Sequence, residues 1–387
     1  MSRPIVRTAV PKVLLAALLM AACRDAVGPD RGLPGTPLFS LSPNGIQVDT
    51  INGAPTVNGS LNESGTMLAK GFDHGNPTFG DAIIATFYWV GSTNIVDSVI
   101  DFVADANNTR AGNPFRLVEY VTAGNRSMAT YIATNVRNFP ERSSTSGQIY
   151  AVRAYLREPV ADGGIKISAW KGVEDNASIA LGAHRSASGS DTTIAVAHAG
   201  PITVGAGGVA YTVTLSGLWG LDGPGADGYA AFDAGSDAFG LKENAAYRLF
   251  PGGGTTDPRW TWFFGQSGGT WLATTLALNP PPHLAFTVQP SRALPLLAIQ
   301  PAVQVTVLDA LGNRVSSFNG QVTIAIGHNG GLVAPGTLSG TRTVTAVNGV
   351  ATFSDLSIDQ PGNGYTLVVS VPNMLGAEST PFTIGAF

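Results

Sequence analysis

This chain has one cysteine, five histidines and a charged fraction of only 12%. A lone thiol, Cys23, excludes an intramolecular disulfide framework. The histidines (His74, His184, His198, His283 and His328) are far apart, with no H-x-x-H or H-E-x-x-H spacing, so a zinc centre has little to draw on. Charge sits well below the usual share of about a quarter. Lys plus Arg (22) do not outnumber Asp plus Glu (26), so the clustered basic surface that nucleic acid demands is missing. Beyond the N-terminus no run is apolar for long enough to cross a bilayer as a helix. None keeps a 3.6-residue stripe over three turns. In place of charge stand 48 glycines with many serines, threonines and asparagines, a weakly charged polar surface common among exported β proteins.

The first segment is of another kind. Arg3, Arg7 and Lys12 precede an apolar run from Val13 to Met20, and Ala21, Ala22 and Cys23 follow. A basic n-region, a short apolar h-region and small residues before a cut form the pattern of an export leader. With a cysteine directly after the small pair, the segment resembles the bacterial lipoprotein signal. That resemblance implies removal of residues 1–22, lipidation of Cys23 and attachment to the membrane through the new N-terminus. Arg24, where inner-membrane retention uses Asp, implies the outer membrane; plain secretion is the alternative. Losing three basic groups and no acidic one leaves the mature chain more negative than the −4 of the whole. Residues 23–44, rich in Pro, Gly, Ser and Asp, read as a flexible tether with an average span of roughly 25 Å.

From about Gly45 to Leu278 the pattern is two-residue alternation in short runs punctuated by Gly, Asn and Pro. Ile83, Ala85, Phe87 and Trp89 fall on one face of a strand, and Ala82, Ile84, Thr86 and Tyr88 on the other. Both faces are apolar enough for a central strand. Similar runs are Met128–Val136, Ile149–Leu156, Ile165–Trp170, Val209–Leu215, Arg259–Phe264 and Trp271–Leu278. Repeated short strands with turn signals predict an all-β sandwich, with Glu174–Asp191 and Leu218–Asp237 as long loops. Asn279-Pro280-Pro281-Pro282 reads as a semi-rigid spacer over 279–282. Residues 283–387 then alternate again at Leu284, Phe286 and Val288, at Val303, Val305 and Val307, and at Val322, Ile324 and Ile326. Asn348-Gly349 predicts a tight type I′ turn between Thr343–Val347 and Val350–Phe353. Tyr365 sits where a tyrosine-corner hydroxyl bonds back to backbone.

The segments Leu284–Pro290, Pro301–Val305, Asp309–Asn313, Gly336–Thr341 and Val347–Phe353 resemble bacterial Ig-like domains of the invasin and intimin type. The resemblance implies a spacer, display or adhesion module without catalytic residues. Gly80–Trp89, the turn Asp105–Thr109, Tyr131–Val136 and the closing strands Trp260–Trp262 and Trp271–Ala273 are similar to jelly-roll-like modules of exported bacterial proteins. The fold expected is therefore a large jelly-roll-like β-sandwich over 45–278 followed by a smaller Ig-like β-sandwich over 283–387.

Candidate chemistry is sparse. Gly265-Gln266-Ser267-Gly268-Gly269 fits the G-x-S-x-G of serine hydrolases, but no helix follows, and a Gly-rich hairpin accounts for it. Gly223–Gly228 fits G-x-G-x-x-G without the βαβ context that pattern requires. Asp222, Asp227, Asp233 and Asp237 in one loop, and Asp101, Asp105, Asn107 and Asn108 in another, offer oxygen ligands for a structural Ca²⁺, or are solvated turn residues. Trp260, Trp262 and Trp271 offer an aromatic platform for stacking sugar rings, or fill a core. These features lead to the expectation of a lipid-anchored surface protein that binds a glycan or protein and carries out no catalysis. The alternative is a secreted polysaccharide-active enzyme, which demands two close carboxyls in a cleft.

Overall fold

The computed structural model describes residues 45–142, 148–191, 196–217, 220–232, 235–236, 240–262, 269–372 and 374–385. Its longer strands are β1 (Val57–Gly71), β2 (Ala82–Val90), β3 (Val96–Ala104), β4 (Arg116–Ala123), β5 (Arg126–Ala133) and β6 (Ile149–Lys171). They are followed by β7 (Leu181–Asp191), β8 (Gly208–Ser216), β9 (Lys242–Phe250) and β10 (Gly269–Leu278). The protein is all-β, with sheets packed as sandwiches. Among the described residues no helix is long and apolar enough to cross a membrane.

β6 organises the first sheet. Its beginning, Ile149–Leu156, pairs with β3, its end, Gly163–Trp170, pairs with β2, and β1 follows its other edge with register shifts between Tyr155 and Gly164. Tyr150, Val152 and Ala154 point into the same core as Ile165, Ile167 and Ala169. The inward parity therefore switches from even to odd across the irregular stretch, as bulges permit. A Cβ at Gly164 would overlap the Ser60 carbonyl and the Tyr88 ring, so the bend requires glycine there. The two runs read separately from the sequence are thus one strand.

β2 is covered on both faces. Ile83, Ala85, Phe87 and Trp89 enter one core with Val152 and Ile165. Ala82, Ile84 and Tyr88 enter a second core with Tyr211, Val213, Leu272 and Leu276. That second core lies against another sheet, ordered β7-β10-β8-β9. Its outer face carries a third cluster with Ala273, Ala277 and the short strands Ile202–Val204 and Thr261–Trp262. The span therefore stacks more layers than a simple two-sheet sandwich.

Two expectations need correction. Glu174–Asp191 is no loop: Ala177–Ala180 forms one helical turn and Leu181–Asp191 is an edge strand paired with β10. Its residues, LGAHRSASGSD, lack apolar alternation because an edge strand is largely solvated. Leu218–Asp237 contains Leu221–Asp222, Ala230–Ala231 and Gly235–Ser236, each too short to leave a periodic signal.

After the prolines come β11 (His283–Val288), β12 (Val303–Leu308), β13 (Gln321–Ile326), β14 (Thr343–Thr345), β15 (Val350–Phe353), β16 (Gly362–Tyr365) and β17 (Leu367–Ser370). No described strand pairing crosses 279–282. One sheet runs β11-β12-β15 and the other contains β14-β13-β17, with Val305, Val322, Phe353 and Leu367 between them. Asn348 and Gly349 adopt φ of 49° and 80°, and Val347 and Val350 close the two-residue turn. Its arms then separate, β14 into one sheet and β15 into the other. Tyr365 donates its hydroxyl to the Gln360 carbonyl at 3.0 Å, the corner bond read from the sequence. Tyr365→Phe is expected to destabilise the chain by about 1 kcal/mol, measured as a lower urea midpoint at unchanged slope.

Candidate functional site

The three tryptophans proposed as a sugar platform are 0% (Trp260), 4% (Trp262) and 9% (Trp271) exposed and share one core cluster. The Trp260 indole donates to Thr212 at 3.2 Å. They pack with Ala273, Ala277 and Ile202, which leaves little of their surface to stack on a sugar ring. Alternation along the chain put them on one face, and that face is internal.

The oxygen-rich loops are turns. Asp105 accepts from Asn107 N (2.9 Å), Thr109 N (3.0 Å) and Thr109 Oγ1 (2.7 Å), which uses its carboxylate within the hairpin. The Thr109 bonds hold this carboxyl below its ordinary range. Asn107 enters as a backbone donor. Asp101 is buried and accepts from Gly112 N, Asn113 and the Tyr150 hydroxyl. In the other loop Asp227 ends a 3-10 turn, Gly225–Asp227, and its carbonyl accepts from Arg248. Asp222 pairs through its backbone with Thr261. Among the described residues no group of three His, Cys, Asp or Glu side chains could hold a metal. Cys23, Asp233, Asp237 and residues 265–268 of the G-x-S-x-G segment lie outside the described residues.

A different place gathers polar chemistry. A groove of about 570 Å³ lies between the start of β1 and the second sheet, lined by Asn58, Ser60, His74, Lys166, Phe232 and Glu243 among others. Lys166 alternates with Ile165 and Ile167 on β6, so those two fill the first core while Lys166 faces the second. There its Nζ meets Glu243 Oε2 of β9 at 3.2 Å, both side chains buried. Tyr88, on the neighbouring strand, is fully buried beside them and its hydroxyl has no hydrogen-bond partner among the described residues. Burial, and after it the nearby Glu243 carboxylate, push the Tyr88 phenol well above its usual range and keep it neutral. His74, Asn62, Ala54 and Pro55 form an exposed rim. Asn58 is fixed by bonds to Gly71 O and Asp73 Oδ2, both 2.8 Å.

Under that rim lies a carboxyl pair. Asp49 and Asp81 are both buried, and the Thr78 N–H is shared between their Oδ2 atoms at 3.2 and 3.0 Å. Lys171 (2.5 Å) and Arg142 (3.5 Å) approach Asp49 Oδ1. Asp49 also accepts Thr56 N on its carbonyl, which ties it to the Thr50–Pro55 hairpin of the rim. Burial first, and the Asp49 charge second, raise the Asp81 carboxyl well above the carboxylate range. Sequence reasoning named neither this pair nor Lys166 and Glu243. The one available signal was a lysine inside a strand run whose neighbours are apolar.

Two outcomes follow from this geometry. Lys166→Met removes the Lys166 ammonium from buried Glu243 and is expected to cost about 3–5 kcal/mol, whereas Lys166→Met with Glu243→Leu recovers most of that loss in urea unfolding. The folded state keeps the Asp81 proton at pH values where an unfolded Asp has released it, so stability falls as pH rises from the ordinary carboxylate range toward the raised value. Asp81→Asn stays neutral and is expected to flatten that decline in urea midpoints taken from roughly pH 4 to pH 9. No family model matches the chain, and no curated protein matches it.

Proposed function

We propose that this is a lipid-anchored protein of the cell envelope that binds a glycan or a protein ligand and does not transform it. The observation that carries the binding role is the groove between β1 and the second sheet, with its polar rim and its Lys166–Glu243 floor. Glu243 is the one carboxylate among the described residues that line it. Hydrolysis of a glycosidic bond uses two carboxyls on either side of the bond. The Asp49–Asp81 pair is close together but buried beneath the rim, with Lys171 and Arg142 engaged on Asp49. Both features favour holding a ligand over cutting one. The leader ending at Cys23 and the Ig-like pattern of 283–387 favour display outside the cytosol.

The full chain, screened against a glycan array and against envelope proteins by pull-down, is expected to retain a ligand saturably. His74→Trp, which fills the rim, is expected to weaken that retention at least about tenfold, the equivalent of one well-made contact. Release of reducing ends from a polysaccharide would overturn the non-catalytic reading. In cells, Cys23→Ser is expected to move the protein from the membrane fraction to the soluble one, and a free Cys23 thiol in the isolated protein would overturn the anchor.

A further inference from the structure

One wall of the groove beside β1 is made of consecutive residues: Val57, Asn58, Gly59, Ser60, Leu61 and Asn62 all line it. Side chains of a strand alternate between its two faces, so a groove beneath one face is lined by every second residue. Six in a row mean that this wall is the edge of the strand. One edge of Val57–Leu61 pairs with Gly164–Ser168 of β6, and among the described residues no strand pairs with the other. Gly235–Ser236 approaches β1 but pairs with β9.

The register says which backbone groups face outward. Ala169 N donates to Thr56 O at 3.0 Å, so by alternation Thr56, Asn58 and Ser60 turn toward β6. The N–H and C=O groups of Val57, Gly59 and Leu61 then point to the open edge. Gly59 N agrees with this, since it donates to the Asn58 side chain at 2.9 Å and not to β6. Edge strands are commonly blocked by charge or proline, and Val57–Leu61 carries neither. Val57 and Leu61 pack against the second core, whereas Gly59 between them leaves a gap above the floor. A Cβ on Gly59 would stand 3.1 Å from Lys166 Cδ.

We propose that the ligand of this groove is an extended peptide that adds to the Val57–Leu61 edge as a further strand, an assignment that rests on the binding role given above. Strand addition draws affinity from main-chain hydrogen bonds and specificity from alternate side chains. Val57, Gly59 and Leu61 supply the main-chain groups here, over about 13 Å of edge. One peptide side chain is then directed into the gap at Gly59, above Lys166, Glu243 and Tyr88. The ion pair is neutral as a whole, and the Tyr88 hydroxyl has no partner among the described residues. A neutral side chain with an acceptor oxygen (Asn, Gln, Ser or Thr) suits that position. A sugar is the poorer fit. Sugar rings stack on exposed aromatic faces, and the two aromatic residues of the groove, Tyr88 and Phe232, are buried.

A phage-displayed library of random peptides, panned on the full chain, is expected to yield a saturable binder. A synthetic copy of that peptide is expected to protect the Val57 and Leu61 amides from hydrogen exchange. N-methylation of every second peptide amide in one phase is expected to weaken binding at least about tenfold, and in the other phase to leave it unchanged. Gly59→Val, which fills the gap above Lys166, is expected to weaken binding by a similar factor. The N-methyl pair leaves the protein untouched, so it decides the matter even where Gly59→Val lowers the thermal melt. No peptide binder, equal binding of both N-methyl forms and the parent, or protection elsewhere than at 57–61 would overturn the proposal. So would a concentration-dependent dimer with the same amides protected, which gives the edge to a second copy. Glycan retention without a peptide binder overturns strand addition and keeps the groove as a binding site, whereas no ligand of either kind overturns both.

Discussion

Double burial of β2 governs the larger part of this molecule. Along residues 82–89 every other side chain enters one core and the rest turn toward another, and all of them are buried. A sheet in that position accepts few polar groups, and most of those present are matched from an adjacent strand or layer, the Tyr88 hydroxyl being an exception among the described residues. Thr86 meets Thr130 at 3.1 Å on the neighbouring strand. Lys166 reaches across to Glu243 of the second sheet. The layers are therefore locked by polar contacts in register as well as by apolar area.

The groove follows from the same arrangement. Where β1 leaves the second sheet uncovered, the interlayer space opens to solvent, and the ion pair that bridges the layers becomes its floor. The rim hairpin Thr50–Pro55 is held from below by Asp49, which pairs with Lys171 and shares the Thr78 N–H with Asp81. Buried ionisable groups thus support both the rim, through Asp49 and Asp81, and the floor of the groove, through Lys166 and Glu243.

The C-terminal sandwich follows different rules. Its core is a single layer, mostly Val, Ile and Leu, between two sheets. Tyr365 closes a corner, and Asn348-Gly349 passes the chain from one sheet to the other. In its loops, aliphatic residues such as Val333 stand in solvent.

Composition and alternation were enough to determine the class of fold, the two-faced character of β2, the type I′ turn and the role of Tyr365. Each of these depends on local periodicity or on the φ preference of one residue, which neighbours along the chain reveal. Tertiary structure alone decided that Trp260, Trp262 and Trp271 face inward, that Ile149–Leu156 and Ile165–Trp170 are one bent strand, and that Lys166 meets Glu243 and Asp49 meets Asp81. Alternation says which side chains share a face but not whether another layer covers it. Pairs that meet across 32 or more positions of the chain leave no spacing to read.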